Sequence, residues 1–316
     1  MLPYEWVTKA SERISGHIVH TPLLYDKDLN IHLKFENKQV TGSFKIRGAL
    51  NKILTLEPWE RAQGLVTASA GNHGQGVALS GKIVGAPVVV FASHHAVPSK
   101  LDSMRNLGAD VRLVNGGYGL AEQTAIDFAA LNHKTFISPY NDGQVISGQA
   151  TIGLELMHDV KIEPEISLVV PVGGGGMISG IGSVLHDRHI PIKLIGVQPE
   201  ASAFAHALFH KGDQFNVTDL PTLADGLSGH IQEGSITYPM MKNLVNDIIT
   251  VTEDEIELGI AYVWYKFHEK IEGSAATSIS AILIGKVKAP ALVILSGANI
   301  QPEVHAKICQ KFAGRI

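Results

Sequence analysis

The sequence is poor in cysteine, in charge and in aromatic side chains. Cys309 is the one cysteine in 316 residues. It excludes an intrachain disulfide and any zinc site built from paired cysteines. Charged residues are 18% of the chain and aromatics 6%. No run of basic residues occurs, the formal net charge is −4 and the pI is near 6.4. Nucleic acid and anionic membrane are therefore poor partners. The opening segment MLPYEWVTKASERIS is polar and amphipathic, without the apolar core of a signal peptide. Together with the missing disulfides this predicts a cytoplasmic protein.

Long hydrophobic runs are also scarce. The one stretch to weigh is ISLVVPVGGGGMISGIGSVL, residues 166–185, which carries no charge and is long enough to span a bilayer. Pro171 and six glycines interrupt it. It reads as a buried strand, a loop and the start of a buried helix.

What the chain does have is apolar residues, 45%, and 32 glycines. That is a globular composition with many tight loops. Strand and helix patterns alternate. GLVTAS, PVVVFA, ADVRLV and TFIS read as strands separated by helices, so residues 58–145 form a four-stranded unit. SLVVPV, IKLIGVQP and PALVILSGAN are strands of a second set, with helices at VISGQATIGLELMHDV and SAATSISAILIGKV. Thr252 with Glu255 three residues on predicts a capping box. Residues 45–56 read as a helix that packs with this second set. The expected fold is α/β with two doubly wound parallel-sheet domains. The larger comprises residues 1–57 and 146–316, and the smaller, residues 58–145, is inserted into it. Ligands of such sheets sit beyond the carboxyl ends of the strands.

The run PVGGGGMISGI, residues 171–181, follows a strand and opens a helix. Consecutive glycines let backbone amides approach an anion, and the helix N-terminus adds positive potential. Each amide bond to a charged oxygen is worth roughly 1.5–3 kcal/mol. Three or four supply most of the ~8 kcal/mol of micromolar binding. The dinucleotide fingerprint fails at Ile178 and Ser179, and the Walker pattern fails because Ile181 follows Gly180. A phosphate monoester suits the loop. TASAGNHGQGVA, residues 67–78, is a second strand-to-helix turn with free amides; taken alone it is equally a helix start capped by Ser69 or Asn72. LSGAN places Ser296 at the end of the last strand. ADGL and IEGSA, each alone, read as ordinary loops. VTGSFKIRGAL places Lys45 beside Phe44 at a helix start, where a lysine is either a solvated surface residue or a nucleophile.

In the order TGSFKIRGA, SAGNHGQG, SGQATIGLE, PVGGGGM, ADG, SGAN, these segments resemble the fold-type II pyridoxal-phosphate enzymes, in the threonine/serine dehydratase and serine racemase branch. The resemblance covers residues 21–299. It implies a tryptophan synthase beta-like fold and pyridoxal 5'-phosphate as cofactor. It implies that Lys45 bonds the cofactor's aldehyde, that Phe44 lies against its ring and that Asn72 bonds its 3-oxygen. Gly173, Gly174, Gly175, Gly176 and Met177 would cup the phosphate, and Ser296 would bond the pyridine nitrogen. Ser69, Ala70, Gly71 and Asn72 would receive a substrate carboxylate. Tyr140, where dehydratases carry an aromatic, would wall the substrate side chain, or else it is a packing residue at a strand end.

The implied reaction is β-elimination from a hydroxyamino acid to a 2-oxo acid and ammonia, with Lys45 taking the α-proton. Threonine, serine, hydroxyaspartate and phenylserine are all possible substrates, and racemisation is the rival reaction. Ala70 replaces the serine that racemases use as a second base, which favours elimination. Gln198 and Phe204 replace acidic metal ligands of many relatives, so no metal is expected there. Ala298 replaces the last glycine of the usual SGGN and narrows the pocket. The chain stops soon after its last strand, so an appended regulatory domain and isoleucine feedback are not expected. Relatives of this branch imply a homodimer or homotetramer.

Overall fold

The computed structural model describes residues 1–162 and 166–316. The chain opens with α1 (Tyr4–Ile14), β1 (Leu23–Asp26), β2 (Ile31–Lys34), α2 (Lys45–Thr55) and α3 (Pro58–Gln63). Next come β3 (Leu65–Ala68), α4 (Asn72–Val84), β4 (Val88–Ser93), α5 (Pro98–Asn106), β5 (Asp110–Val114), α6 (Tyr118–Leu131) and β6 (Thr135–Phe136). Then follow α7 (Gly143–Asp159), β7 (Ser167–Pro171), α8 (Gly176–Asp187), β8 (Lys193–Pro199), α9 (Phe204–Lys211), α10 (Thr237–Leu244) and β9 (Asp247–Val251). The last elements are α11 (Glu253–Phe267), α12 (Gly273–Leu283), β10 (Ala291–Ile294) and α13 (Pro302–Phe312).

Two sheets result. One has four parallel strands in the order β5-β4-β3-β6. The other has six, β1-β2-β10-β7-β8-β9, parallel except for the β1–β2 pair. Helices cover both faces of each, as parallel sheets require. In the larger sheet Val169, Ile195 and Val197 pack with Ile256, Ile260 and Ile279 on one face. Their neighbours Leu168, Val170 and Leu194 pack with Ile152, Ile178 and Ile181 on the other. This is the period-two alternation of a strand buried on both sides. The helix after β7 lies on the second face, whereas Ile308 of the helix after β10 lies on the first. Neighbouring strands β7 and β10 thus send their chains to opposite faces, and a crevice opens beyond their carboxyl ends.

Residues 166–185 form β7, a glycine turn and α8, and no helix among the described residues is long and apolar enough to cross a membrane. The capping box forms: Glu255 N donates to Thr252 Oγ1 at 3.4 Å and Thr252 N to Glu255 Oε2 at 2.7 Å. Helix α7 starts before the apolar run because Asp142 accepts from the amides of Gln144 at 2.7 Å and Val145 at 3.0 Å. Neither Ser69 nor Asn72 caps α4; Gly71 holds that position with no side-chain bond. Strands β1, β2 and β9 are four or five residues long and each carries a charged residue at one end, and the hydrophobic pattern did not announce them.

Candidate active site

The position of Lys45 is set by two helix crossings. It is the first residue of α2, which is wedged between α4 and α7. A methyl on Gly148 of α7 would sit 2.4 Å from Arg47 O, and one on Gly48 of α2 would sit 2.6 Å from Val145 O. On the other side, a methyl on Gly76 of α4 would lie 3.2 Å from Ile46 N. Glycine is needed at the α2–α7 crossing because the backbones meet without an intervening side chain. Two residues on, buried Arg47 grips Glu36 through Nε to Oε2 and Nη2 to Oε1, both 2.8 Å, and Glu155 through Nη1 to Oε1 at 2.6 Å. The start of α2 is therefore held by packing and by charge.

From there Lys45 Nζ donates to Pro139 O at 3.1 Å and stands 5.3 Å from the Phe44 ring centre. The next residue, Tyr140, lies against the glycine turn: a methyl on Gly174 would fall 2.3 Å from Tyr140 Cγ. The Tyr140 hydroxyl accepts the Gln232 amide at 2.9 Å, and burial pushes its pKa up to about 12. Phe44 N donates to Ser296 O at 3.1 Å, so Ser296, buried past β10, adjoins the same floor. Residues 139–140 thus bridge the amine and the glycine turn.

The turn has the form of an anion cup. Gly175 has φ +84° at the N-cap of α8, and the first-turn bond runs from Ser179 N to Gly175 O at 3.0 Å. The amides of Gly176, Met177 and Ile178 consequently have no partner within the helix. Gly173 faces Leu227 and Gly226 O, where an added methyl would lie 3.1 and 3.2 Å away.

Asn72 joins the two sheets. Its Nδ2 donates to Glu272 Oε1 at 2.6 Å, and its Oδ1 accepts Asn299 Nδ2 at 2.7 Å. Asn299 N donates to Glu272 Oε2 at 3.1 Å. Across the cleft Lys100 Nζ bonds Asp225 Oδ2 at 2.5 Å. Within the 69–72 turn the Gly71 amide donates to Ser69 Oγ at 3.1 Å. Ala70 beside it offers no hydroxyl.

The electrostatics follow from burial. Removing water from the Lys45 amine lowers its pKa to about 8, against the opposing pull of Glu272. Glu272 is pushed up to about 7 by burial and then by Asp225, with Lys100, Asn72 and Asn299 holding it down. His73 falls to about 3 through burial and the nearby Lys45 charge, and its Nε2 sits 3.0 Å from Ile137 O. It is a neutral wall. Glu272, Asn299, Lys100, Asp225 and His73 are the members that the sequence motifs did not assign. ADGL and IEGSA were visible, but only the fold places Asp225 and Glu272 together. Gln198 is buried and engaged, accepting His206 N at 3.0 Å and donating to Leu227 O at 3.2 Å.

The residues fit a phosphate-bearing aldehyde. The cup presents open amides, the amine is partly neutral near pH 7, and buried hydroxyls of Ser43 and Ser274 beside the cleft lack a partner in the protein. A fold with such a crevice is that of an enzyme built round a phosphorylated aldehyde cofactor. The chain belongs to the pyridoxal-phosphate dependent enzyme family, whose pattern matches residues 14–297, and pyridoxal phosphate is its cofactor. It is 40% identical to an L-threonine ammonia-lyase of Thermotoga maritima, over 96% of this chain and 77% of that one. It superposes on the processed form of threonine deaminase isoform 2 from Solanum lycopersicum with TM-score 0.88 and 29% identity, covering 98% of this chain and 93% of that one. On a serine racemase from Dictyostelium discoideum the TM-score is 0.86 at 32% identity, covering 95% and 99%.

Proposed function

We propose that this chain is an ammonia-lyase that removes the β-hydroxyl of a small L-hydroxyamino acid, threonine or serine, and releases a 2-oxo acid and ammonia. The observation that carries it is the amine of Lys45, seated at the cleft floor with its pKa brought down to about 8. Roughly a tenth of such an amine is neutral at pH 7, against a few parts in ten thousand for an ordinary lysine. The names of its relatives support this choice of reaction and substrate.

Bound pyridoxal phosphate supplies an aldehyde to condense with amines and a ring that withdraws electrons from the substrate's Cα–H bond. Lys45 would hold that aldehyde at rest, and its Nζ, when free, would take the α-proton of the substrate. Gly173, Gly174, Gly175, Gly176 and Met177 would hold the phosphate, Phe44 would back the ring, and Asn72 would bond its 3-oxygen. Ser296 would offer the ring nitrogen a neutral hydroxyl, which would favour loss of a β-leaving group over transamination. Ser69, Ala70, Gly71 and Asn72 orient the substrate carboxylate, and Tyr140 closes the side-chain end. Because Ala70 leaves the opposite face without a base, elimination outruns racemisation.

The test is release of 2-oxo acid and ammonia from L-threonine, L-serine, 3-hydroxyaspartate and phenylserine, with D-serine measured alongside. No ammonia from any of the four refutes the lyase assignment. D-serine in excess of pyruvate replaces it with a racemase. The proposal extends to residues 58–145 as an inserted domain, supported by the separate four-stranded sheet, and to a cytoplasmic homodimer or homotetramer, measured by light scattering.

A further inference from the structure

Away from the cleft, His20, His158 and Asp159 bring two imidazole nitrogens and a carboxylate oxygen within 4.8 Å of one another, the one such group among the described residues. His20 precedes β1, and the other two end α7. Asp159 Oδ1 is the common point, 2.7 Å from His20 Nε2 and 3.2 Å from His158 Nδ1. Both histidines are exposed, whereas the Asp159 side chain is only 16% exposed. Sequence spacing gave no sign of this group, since His20 lies far from the adjacent pair in the chain.

The charge behind the cluster is unbalanced. Lys34 Nζ donates to Asp159 Oδ2 at 2.9 Å and pairs with Glu155 at 2.7 Å. Glu155 also pairs with Arg47 at 2.6 Å, and Arg47 with Glu36 at 2.8 Å. Three carboxylates, Glu36, Glu155 and Asp159, thus meet two cations, Lys34 and Arg47, and one negative charge is left over within the network. The side chains of Lys34, Arg47 and Glu36 are fully buried. Asp159 lies at the network's surface end, where the two imidazoles stand.

We propose that His20, His158 and Asp159 bind a first-row transition-metal dication of the zinc class. Two imidazoles and one carboxylate are a borderline donor set that suits zinc, nickel or copper and disfavours magnesium and calcium. Tetrahedral metal bonds of about 2.0–2.2 Å set neighbouring donors about 3.4 Å apart, so the contacts of 2.7 and 3.2 Å to Asp159 Oδ1 would lengthen by a few tenths of an ångström. Lys34 acts on Asp159 from behind: by donating to Oδ2 it leaves Oδ1 to the metal, the outer-shell arrangement common to such sites. Bound metal cross-links the segment before β1 to the end of α7. Through Lys34, Glu155 and Arg47 it stiffens the seat of α2, two residues from Lys45.

The experiment uses tag-free, cofactor-loaded protein, stripped with a chelator and titrated with zinc by calorimetry and thermal melting. One zinc per chain and a melting temperature that rises with zinc are expected. His20→Gln and His158→Gln should each weaken zinc at least tenfold while keeping the cofactor's visible absorbance. His94→Gln and His206→Gln, in other histidine pairs, should bind like the parent. Affinity should fall on acidification, as protons compete for the imidazoles. The site is refuted by absence of saturable binding, or by binding that both His20→Gln and His158→Gln leave within twofold of the parent. Neither result touches the lyase assignment, which is read from oxo-acid release.

Discussion

Asn72 hands one hydrogen bond to Glu272 at 2.6 Å and takes another from Asn299 at 2.7 Å, so a residue at the tip of the four-stranded sheet is clasped by two from the six-stranded one. The carboxylate in this clasp is buried and raises the pKa of the Lys45 amine, which burial has already lowered. Replacing Glu272 by Gln removes a negative charge, so the Lys45 midpoint moves below 8. In cofactor-free protein the rate of capture of an added aldehyde should rise with pH, reach half its maximum near pH 8 and level off above it. In Glu272→Gln the plateau should be reached at lower pH. A midpoint that stays put or rises contradicts the coupling.

The same carboxyl makes stability depend on pH. Its folded pKa, about 7, lies above the ordinary carboxyl value of 4.5, so the folded chain holds a proton that the unfolded chain loses. The contribution is present below 4.5 and is lost as pH climbs through 7, by roughly 3 kcal/mol in all. Denaturant unfolding of cofactor-free protein should show this loss between pH 4.5 and 7, and Glu272→Gln should flatten it.

Lys45→Ala should cut turnover by roughly 10³ or more, since on the proposed mechanism both the covalent link and the α-proton base disappear. Visible absorbance of the bound cofactor should shift at the same time. Turnover close to the parent's would remove Lys45 from the reaction.

Arg47 is buried between Glu36 and Glu155, and removing one partner of a buried pair strands the others. Arg47→Met should destabilise the fold by about 3–5 kcal/mol. The Lys100–Asp225 pair is more exposed, so Lys100→Met should change stability by under about 1 kcal/mol. Because that pair spans the cleft, its loss should appear in KM for the amino acid, as steady-state kinetics of both variants will record.

Gly148→Ala places a methyl 2.4 Å from Arg47 O. The crossing has to open, at roughly 1–3 kcal/mol, and α2 shifts with its lysine. Activity should fall further than the loss of stability explains, by about 10²-fold, since small displacements of reacting groups are costly. Ala at Gly85, where nothing lies within 4 Å, is the control for strain without contact.

The alternating strands, the glycine turn that opens α8 and the start of α2 at Lys45 were legible because each depends on local pattern: apolar runs, consecutive glycines, a small tripeptide before a helix. Glu272 was not, because IEGSA acquires meaning only when α12 is laid beside Asn72, two hundred residues away in the chain. Gly48 and Gly148 carry no local signal, and only the crossing explains them. Strands β1 and β2 escaped because four residues ending in a charged side chain are too few to show a period.

Strand β10 lies between β2 and β7, so the middle of the larger sheet is supplied by a late stretch of chain. On the ribosome, β2 and β7 wait without their shared neighbour until residue 294 has emerged, and Ser296 and Asn299 emerge later still. The four-stranded sheet, whose strands lie between residues 65 and 136, needs no such late arrival. During synthesis the smaller sheet can close first, while the cofactor crevice is completed only as translation of this segment ends.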